Sequence, residues 1–144
     1  MTVATILKHK GTHVVSVDPT LSIAEVTRVL LENRIGAVLV MDAAEQLLGI
    51  VSERDVVRSL AANGSHTLDM TAGQLMTRAL KTVTPETTEV AAMTMMTAAR
   101  VRHLPVVERG ALIGLISIGD VVKARIMQQD QEVDSLKAYV AGVG

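Results

Sequence analysis

Gly49-Ile50-Val51-Ser52-Glu53-Arg54-Asp55-Val56-Val57 returns 65 residues later as Gly114-Leu115-Ile116-Ser117-Ile118-Gly119-Asp120-Val121-Val122. The chain is two copies of one unit, each with a hydroxyl and a carboxylate at the same spacing. The repeat runs on upstream: Val17-Asp18-Pro19 matches Val83-Thr84-Pro85, and Arg34-Ile35-Gly36 through Val40 matches Arg100-Val101-Arg102 through Val106. There the offset is 66, so the second copy has lost one residue between its two middle strands. A self-similar chain of this size covers its apolar faces by packing one copy against the other. Any ligand site near that contact is expected twice.

Within the first copy His13-Val14-Val15-Ser16-Val17 reads as a short strand, ended by Asp18-Pro19 because proline lacks the donor a ladder needs. Ser22-Ile23-Ala24-Glu25 has capping-box spacing, and Ile23, Val26 and Leu30 recur on one helical face, which predicts a helix over 23–33. Ala37-Val38-Leu39-Val40-Met41 and residues 47–52 form a predicted hairpin across a polar turn. Residues 55–60 turn helical, with Ser52 or Glu53 near the N-cap and Asp55 in the first turn. The second copy repeats this order: a strand at 81–84, a helix over 90–99, strands at 104–107 and 112–117, and a helix from Asp120. Its first helix lacks the capping box, because Ala91 stands where Glu25 stood. These patterns place copies at residues 1–62 and 71–129, joined by a turn-rich linker at 63–70 (Asn63-Gly64-Ser65-His66). A terminal helix is expected over 130–144, with Leu136, Tyr139, Val140 and Val143 as an apolar stripe that needs a surface to cover.

With 144 residues, 49% of them apolar, the chain has ample core for one compact pair of repeats. Tyr139 is the only aromatic residue, which argues against ring-stacking recognition of bases. A formal charge of −1 offers no general attraction to nucleic acid or to an anionic membrane, so neither is an expected partner. The absence of cysteine removes disulfides, thiolate nucleophiles and cysteine metal sites, and fits a reducing, cytoplasmic home. The apolar runs fall short of the roughly 20 residues of a spanning helix, and the N-terminus does not resemble a secretory signal. No metal is expected: His9 and His13 have i, i+4 spacing, but Gly11 lies between them just before a strand. Met93, Met95 and Met96 sit in a predicted core-facing helix, where methionine fills gaps. Neither a phosphate-binding glycine loop nor a nucleophile–base motif is present, which argues against an enzyme.

A strand ending in Ser-x-x-Asp and running straight into a helix makes a chemically useful corner. The serine hydroxyl and first helical amides are donors, and the aspartate is an acceptor about one turn in. Such a corner can hold the two hydroxyls of a ribose on its carboxylate and a phosphate near its amides. The same residues also read as plain helix caps and dipole complements, and the duplication weighs against that reading.

Gly114 through Asp120 resembles the Gly-x-hydrophobic-hydrophobic-Ser/Thr-x-x-Asp motif of tandem cystathionine-β-synthase (CBS) domain pairs, the Bateman modules. Arg102-His103-Leu104-Pro105-Val106-Val107 resembles their middle-strand motif, and the likeness covers nearly the whole chain. The resemblance implies an α+β fold of two β-α-β-β-α repeats packed with pseudo-twofold symmetry, two clefts between the copies, and binding of adenosine ligands. In the second-copy cleft Asp120 would accept from the ribose hydroxyls and Ser117 would help fix the sugar or phosphate beside Gly119. Thr82, Val83 and Thr84, with His103, Leu104 and Pro105, would bracket the adenine. The first-copy cleft would use Asp55, Ser52, Val15, Ser16 and Val17, with Gly36, Ala37 and Val38.

Phosphate charge should meet Arg102, His103 or Arg54, because a guanidinium fork matches phosphate oxygens. Arg102-His103 replaces Gly36-Ala37, which favours a phosphorylated ligand in the second cleft and disfavours the cationic sulfonium of S-adenosylmethionine. AMP is the first choice, NAD the runner-up, with ADP and ATP also accepted in the family. The expected function is a regulatory sensor acting on a partner protein, or on its own oligomeric state as a homodimer. The alternative is an interaction or structural module with vestigial clefts.

Overall fold

The computed structural model describes residues 1–142. Six α-helices and five strands follow in the order α1 (Val3–Lys10), β1 (Ser16–Val17), α2 (Ile23–Asn33), β2 (Ala37–Met41), β3 (Leu47–Ser52), α3 (Glu53–Asn63), α4 (Ala72–Leu75), α5 (Glu89–Ala99), β4 (His103–Glu108), β5 (Ala111–Ser117) and α6 (Ile118–Val140). A 3-10 segment, Gly64–Asp69, joins α3 to the short α4. The fold class is α+β, and the chain divides into two compact units.

One unit is His13–Leu80, and the other combines Met1–Thr12 with the chain from Lys81 onward. Residues 1–12, read from sequence with the first copy, therefore pack with the second, and residues 71–80 pack with the first. The cause is apolar burial. Val3, Ile6 and Leu7 of α1 share a core with Val83, Ala92, Met96, Leu104, Ile116 and Val121. Ala72 and Met76 share another with Val17, Ile23, Val26, Val38, Val51 and Val56. Each core has a matching glycine: Gly114 lies against Leu7, and Gly49 lies against Met76.

In the His13–Leu80 unit β1 runs parallel to β2, and β2 pairs antiparallel with β3. The strand expected at 13–17 shrinks to Ser16–Val17, although Leu39 N still donates to Val15 O at 3.2 Å. Helix α2 spans the predicted 23–33, with Ile23, Val26 and Leu30 buried. Its capping box is only half made: Ser22 Oγ accepts from Glu25 N, while the Glu25 carboxylate turns to Arg28 at 3.2 Å.

In the other unit β4 and β5 form an antiparallel hairpin. The strand expected at 81–84 reduces to a parallel bridge between Val83 and Val106, with Val83 N donating to Pro105 O and Val107 N to Val83 O. Thr84 leaves the ladder because its N–H donates to Thr87 Oγ1 in the turn entering α5. The two helices expected after Ser117 are one unbroken helix of 23 residues, with neither proline nor glycine from Asp120 to Val140 to interrupt it. Val143 of the apolar stripe lies outside the described residues. Among the described residues no helix is long and apolar enough to cross a membrane.

Candidate ligand-binding corners

Each hairpin delivers its second strand directly into a helix, and the junction is built alike in both units. Ser52 Oγ accepts from Asp55 N at 3.3 Å, while Asp55 Oδ2 accepts from Ser52 N at 2.8 Å and from Ser52 Oγ at 3.0 Å. Ser117 and Asp120 repeat these bonds at 3.1, 2.8 and 2.9 Å. Both are reciprocal capping boxes, with aspartate filling the acidic position at the third helical residue. The carboxylates also sit where the helix dipole favours negative charge. Both aspartates remain only partly buried.

The neighbouring strand closes each corner. Gly36 O accepts from Glu53 N at 2.9 Å, and Arg102 O accepts from Ile118 N at the same distance. Ala37 pairs with Ser52, and His103 pairs with Ser117. The sequence-derived residues Gly36, Ala37, Ser52 and Asp55 are thereby brought together in one unit, and Arg102, His103, Ser117, Gly119 and Asp120 in the other. Arg54, Arg102, Thr82, Thr84 and Gly119 are exposed. Val17, Val38, Val83 and Leu104 are buried in the cores, so what they can offer a ligand is backbone. In β1 Ser16 pairs with Leu39, and Val15 just before it accepts from Leu39 N through its carbonyl.

The corners differ in one residue that sequence reading missed. Lys10, the last residue of α1, places Nζ 2.7 Å from Asp120 Oδ2 and donates to Leu115 O as well. Burial pushes the Asp120 carboxyl up, but the bonds from Lys10 and Ser117 outweigh it, and its pKa lies below the ordinary carboxylate value. At the other corner Thr77 Oγ1 donates to Asp55 Oδ1 at 3.5 Å, a weak contact and a neutral one. A signal for this was present: Met1-Thr2 recurs as Met70-Thr71, and Leu7 matches Met76 at the same offset. That third repeat block places the chain after Leu7 and the chain after Met76 at equivalent corners.

Arranged this way, each corner presents a fixed carboxylate and one first-turn amide, that of Arg54 or Gly119, while the serine hydroxyl and the amides on either side are engaged in the cap and in the neighbouring strand. His9 and His13 do not share a helix, because α1 ends at Lys10 and Gly11 turns the chain with φ 94°.

This chain belongs to the CBS domain family, which it matches over residues 6–62 and 72–126. Its fold is that of solved CBS-domain pairs. It is similar to the CBS-domain containing protein of Agrobacterium tumefaciens, with 44% identity, TM-score 0.84, and coverage of 86% of this chain and 92% of that one. It is also similar to CBSX2, whose structure was solved in complex with AMP, at 29% identity and TM-score 0.72, covering 89% of this chain and 98% of that one. Among curated relatives, the mitochondrial CBS domain-containing protein CBSX3 of Arabidopsis thaliana is 37% identical over 125 residues. That match covers 84% of this chain but only 61% of the Arabidopsis protein, so the chain spans less than two-thirds of that relative.

Proposed function

We propose that this chain is a regulatory module that binds an adenosine nucleotide at its Ser-x-x-Asp corners, without catalysis of its own. The observation that carries this reading is the duplicated corner, in which a partly exposed aspartate is held rigidly by its own capping box. Asp120 accepts Ser117 and Lys10 at Oδ2, so a ribose hydroxyl would be accepted at Oδ1. Lys10 and Arg102 give the second-copy corner more positive charge than its counterpart, where Arg54 stands beside Glu53, which supports a phosphate-bearing ligand and AMP first. The AMP complex of the related CBSX2 supports the same choice. NAD is the runner-up, ADP and ATP are further options, and S-adenosylmethionine is disfavoured by its cationic sulfonium. Ligand occupancy would act through conformation, or through a homodimer, on a regulated protein in the cytoplasm.

A second reading draws on the capping boxes themselves: both aspartates already stabilise helices, which suffices for an interaction module with vestigial sites. Mass spectrometry of nucleotide carried through purification, followed by calorimetric titration with AMP and with adenosine, separates the two. Saturable AMP binding, tighter than adenosine binding, is expected. Binding of neither ligand would leave the interaction module.

A further inference from the structure

Helix α6 carries an apolar seam that the core does not use. Val121 and Ala124 face the core and are buried, but Val122, Ile126, Val133, Leu136 and Val140 are 49%, 53%, 48%, 63% and 77% exposed. With Gln129 the seam reads 122, 126, 129, 133, 136, 140, an alternation of four and three residues over the helix. That is a heptad repeat with Ile126, Val133 and Val140 at a, and Val122, Gln129 and Leu136 at d. β-Branched residues fill all three a positions, as in parallel two-stranded coils, while only Leu136 of the three d positions is leucine, so the orientation rests on the flanking charges.

The flanking charges select the occupant. In a parallel, in-register pair the g residue of one helix meets the e residue of the next heptad on its partner. Here g is Glu132 and the facing e is the partner's Lys137, an attractive pair made twice by symmetry. Arg125 and Asp130 stand in the same relation with opposite signs, although Arg125 already bonds Glu89 at 2.8 Å. We propose that α6 docks on α6 of a second copy as a parallel two-stranded coiled coil along this seam. The inference rests on the homodimer reading above and assigns the surface and orientation of that dimer.

Sedimentation equilibrium of the full chain tests it with charge variants that leave the apolar seam intact. Lys137→Glu and Glu132→Lys each turn two attractive pairs repulsive and should weaken the dimer about tenfold. The double swap Glu132→Lys with Lys137→Glu should restore it, which a mere folding defect would not allow. Since the chain has no native cysteine, Leu136→Cys should form an intermolecular disulfide under oxidation, as parallel d positions face each other. A wild-type dimer indifferent to both charge variants would overturn the coiled coil and leave the homodimer standing. A monomeric wild type would overturn both. A Leu136→Cys dimer that does not cross-link would overturn the parallel register.

Discussion

Lys10 Nζ lies 2.7 Å from Asp120 Oδ2, joining the end of the first helix to the first turn of the last. Their side chains are 29% and 22% exposed, so the pair is only partly screened by solvent. Lys10 also adds positive charge at the C-terminal end of α1, where the dipole favours it. Asp120 is thereby both a cap for its own helix and a tether for another.

Lys10→Met should lower stability at neutral pH by about 1 kcal/mol, removing a charge-assisted bond from a partly exposed pair. The pH dependence has a definite sign. Asp120 has a lowered pKa in the folded state, so its stabilisation is complete above the ordinary carboxylate value. It is lost as the pH falls through the lower, folded value. Thermal melts of the two proteins from neutral to strongly acidic pH should therefore converge in acid, and a constant difference across that range would deny the ion pair its role.

The helix α2, both hairpins and the Ser-x-x-Asp corners were legible because they rest on local rules: apolar periodicity, turn chemistry and helix capping. Three features were not. The packing of α1 with the second copy depends on burial between segments distant in sequence, which periodicity does not encode. The place of Lys10 is encoded only in the short recurrence of Met1-Thr2 and Leu7 as Met70-Thr71 and Met76, not in any residue adjacent to it. The continuity of α6 was hidden because two separate faces, one toward the core and one toward solvent, looked like two helices. Conversely, Arg102 and Arg54 were legible as candidates, and both are exposed beside their corners.

Gly49→Ala should destabilise more than Gly114→Ala, although the glycines are repeat equivalents. A Cβ at Gly49 would lie 2.7 Å from both Met76 Sδ and Thr77 O. The carbonyl cannot swing aside, because Thr77 and Ile50 exchange two backbone bonds of 2.9 and 3.1 Å. At Gly114 the nearest atom is Leu7 Cδ2 at 2.8 Å, the tip of a side chain that can change rotamer. Overpacking of this kind costs about 1–3 kcal/mol, with Gly49→Ala expected toward the upper end. Urea denaturation of both variants gives the ranking directly, and equal losses would show that Thr77 yields as readily as Leu7.

Glu89 is buried at the position where the first copy carries Ile23, and Arg125 of α6 is its cation. Arg125→Met should therefore lower the melting temperature by stranding a buried carboxylate. Adding Glu89→Gln to that variant should recover part of the loss, because a neutral amide is cheaper to bury than an unpaired charge. A double variant no more stable than Arg125→Met alone would mean that Arg125 acts through packing rather than charge.

If the corners hold adenosine nucleotides, Asp120→Ala should weaken AMP binding more than Asp55→Ala. The Asp120 corner combines the ribose acceptor with Lys10, Arg102 and His103, whereas the Asp55 corner has Arg54 and, beyond its capping box, a weak neutral contact from Thr77. Hydrogen bonds to a carboxylate contribute roughly 1.5–3 kcal/mol each, so affinity should fall tenfold or more. Both substitutions also remove half of a capping box, a loss of about 1 kcal/mol of stability that ligand-free melts must measure beside the titrations. Asp120→Asn should be milder, since its one amide oxygen can still accept from Ser117 N while the amide NH2, at the position Oδ1 held, donates to a ribose hydroxyl. It should nonetheless lose the ion pair with Lys10, freeing the ammonium to meet the phosphate. The gap between AMP and adenosine should then widen in Asp120→Asn relative to wild type, and calorimetry showing an unchanged gap would place Lys10 out of reach of the phosphate.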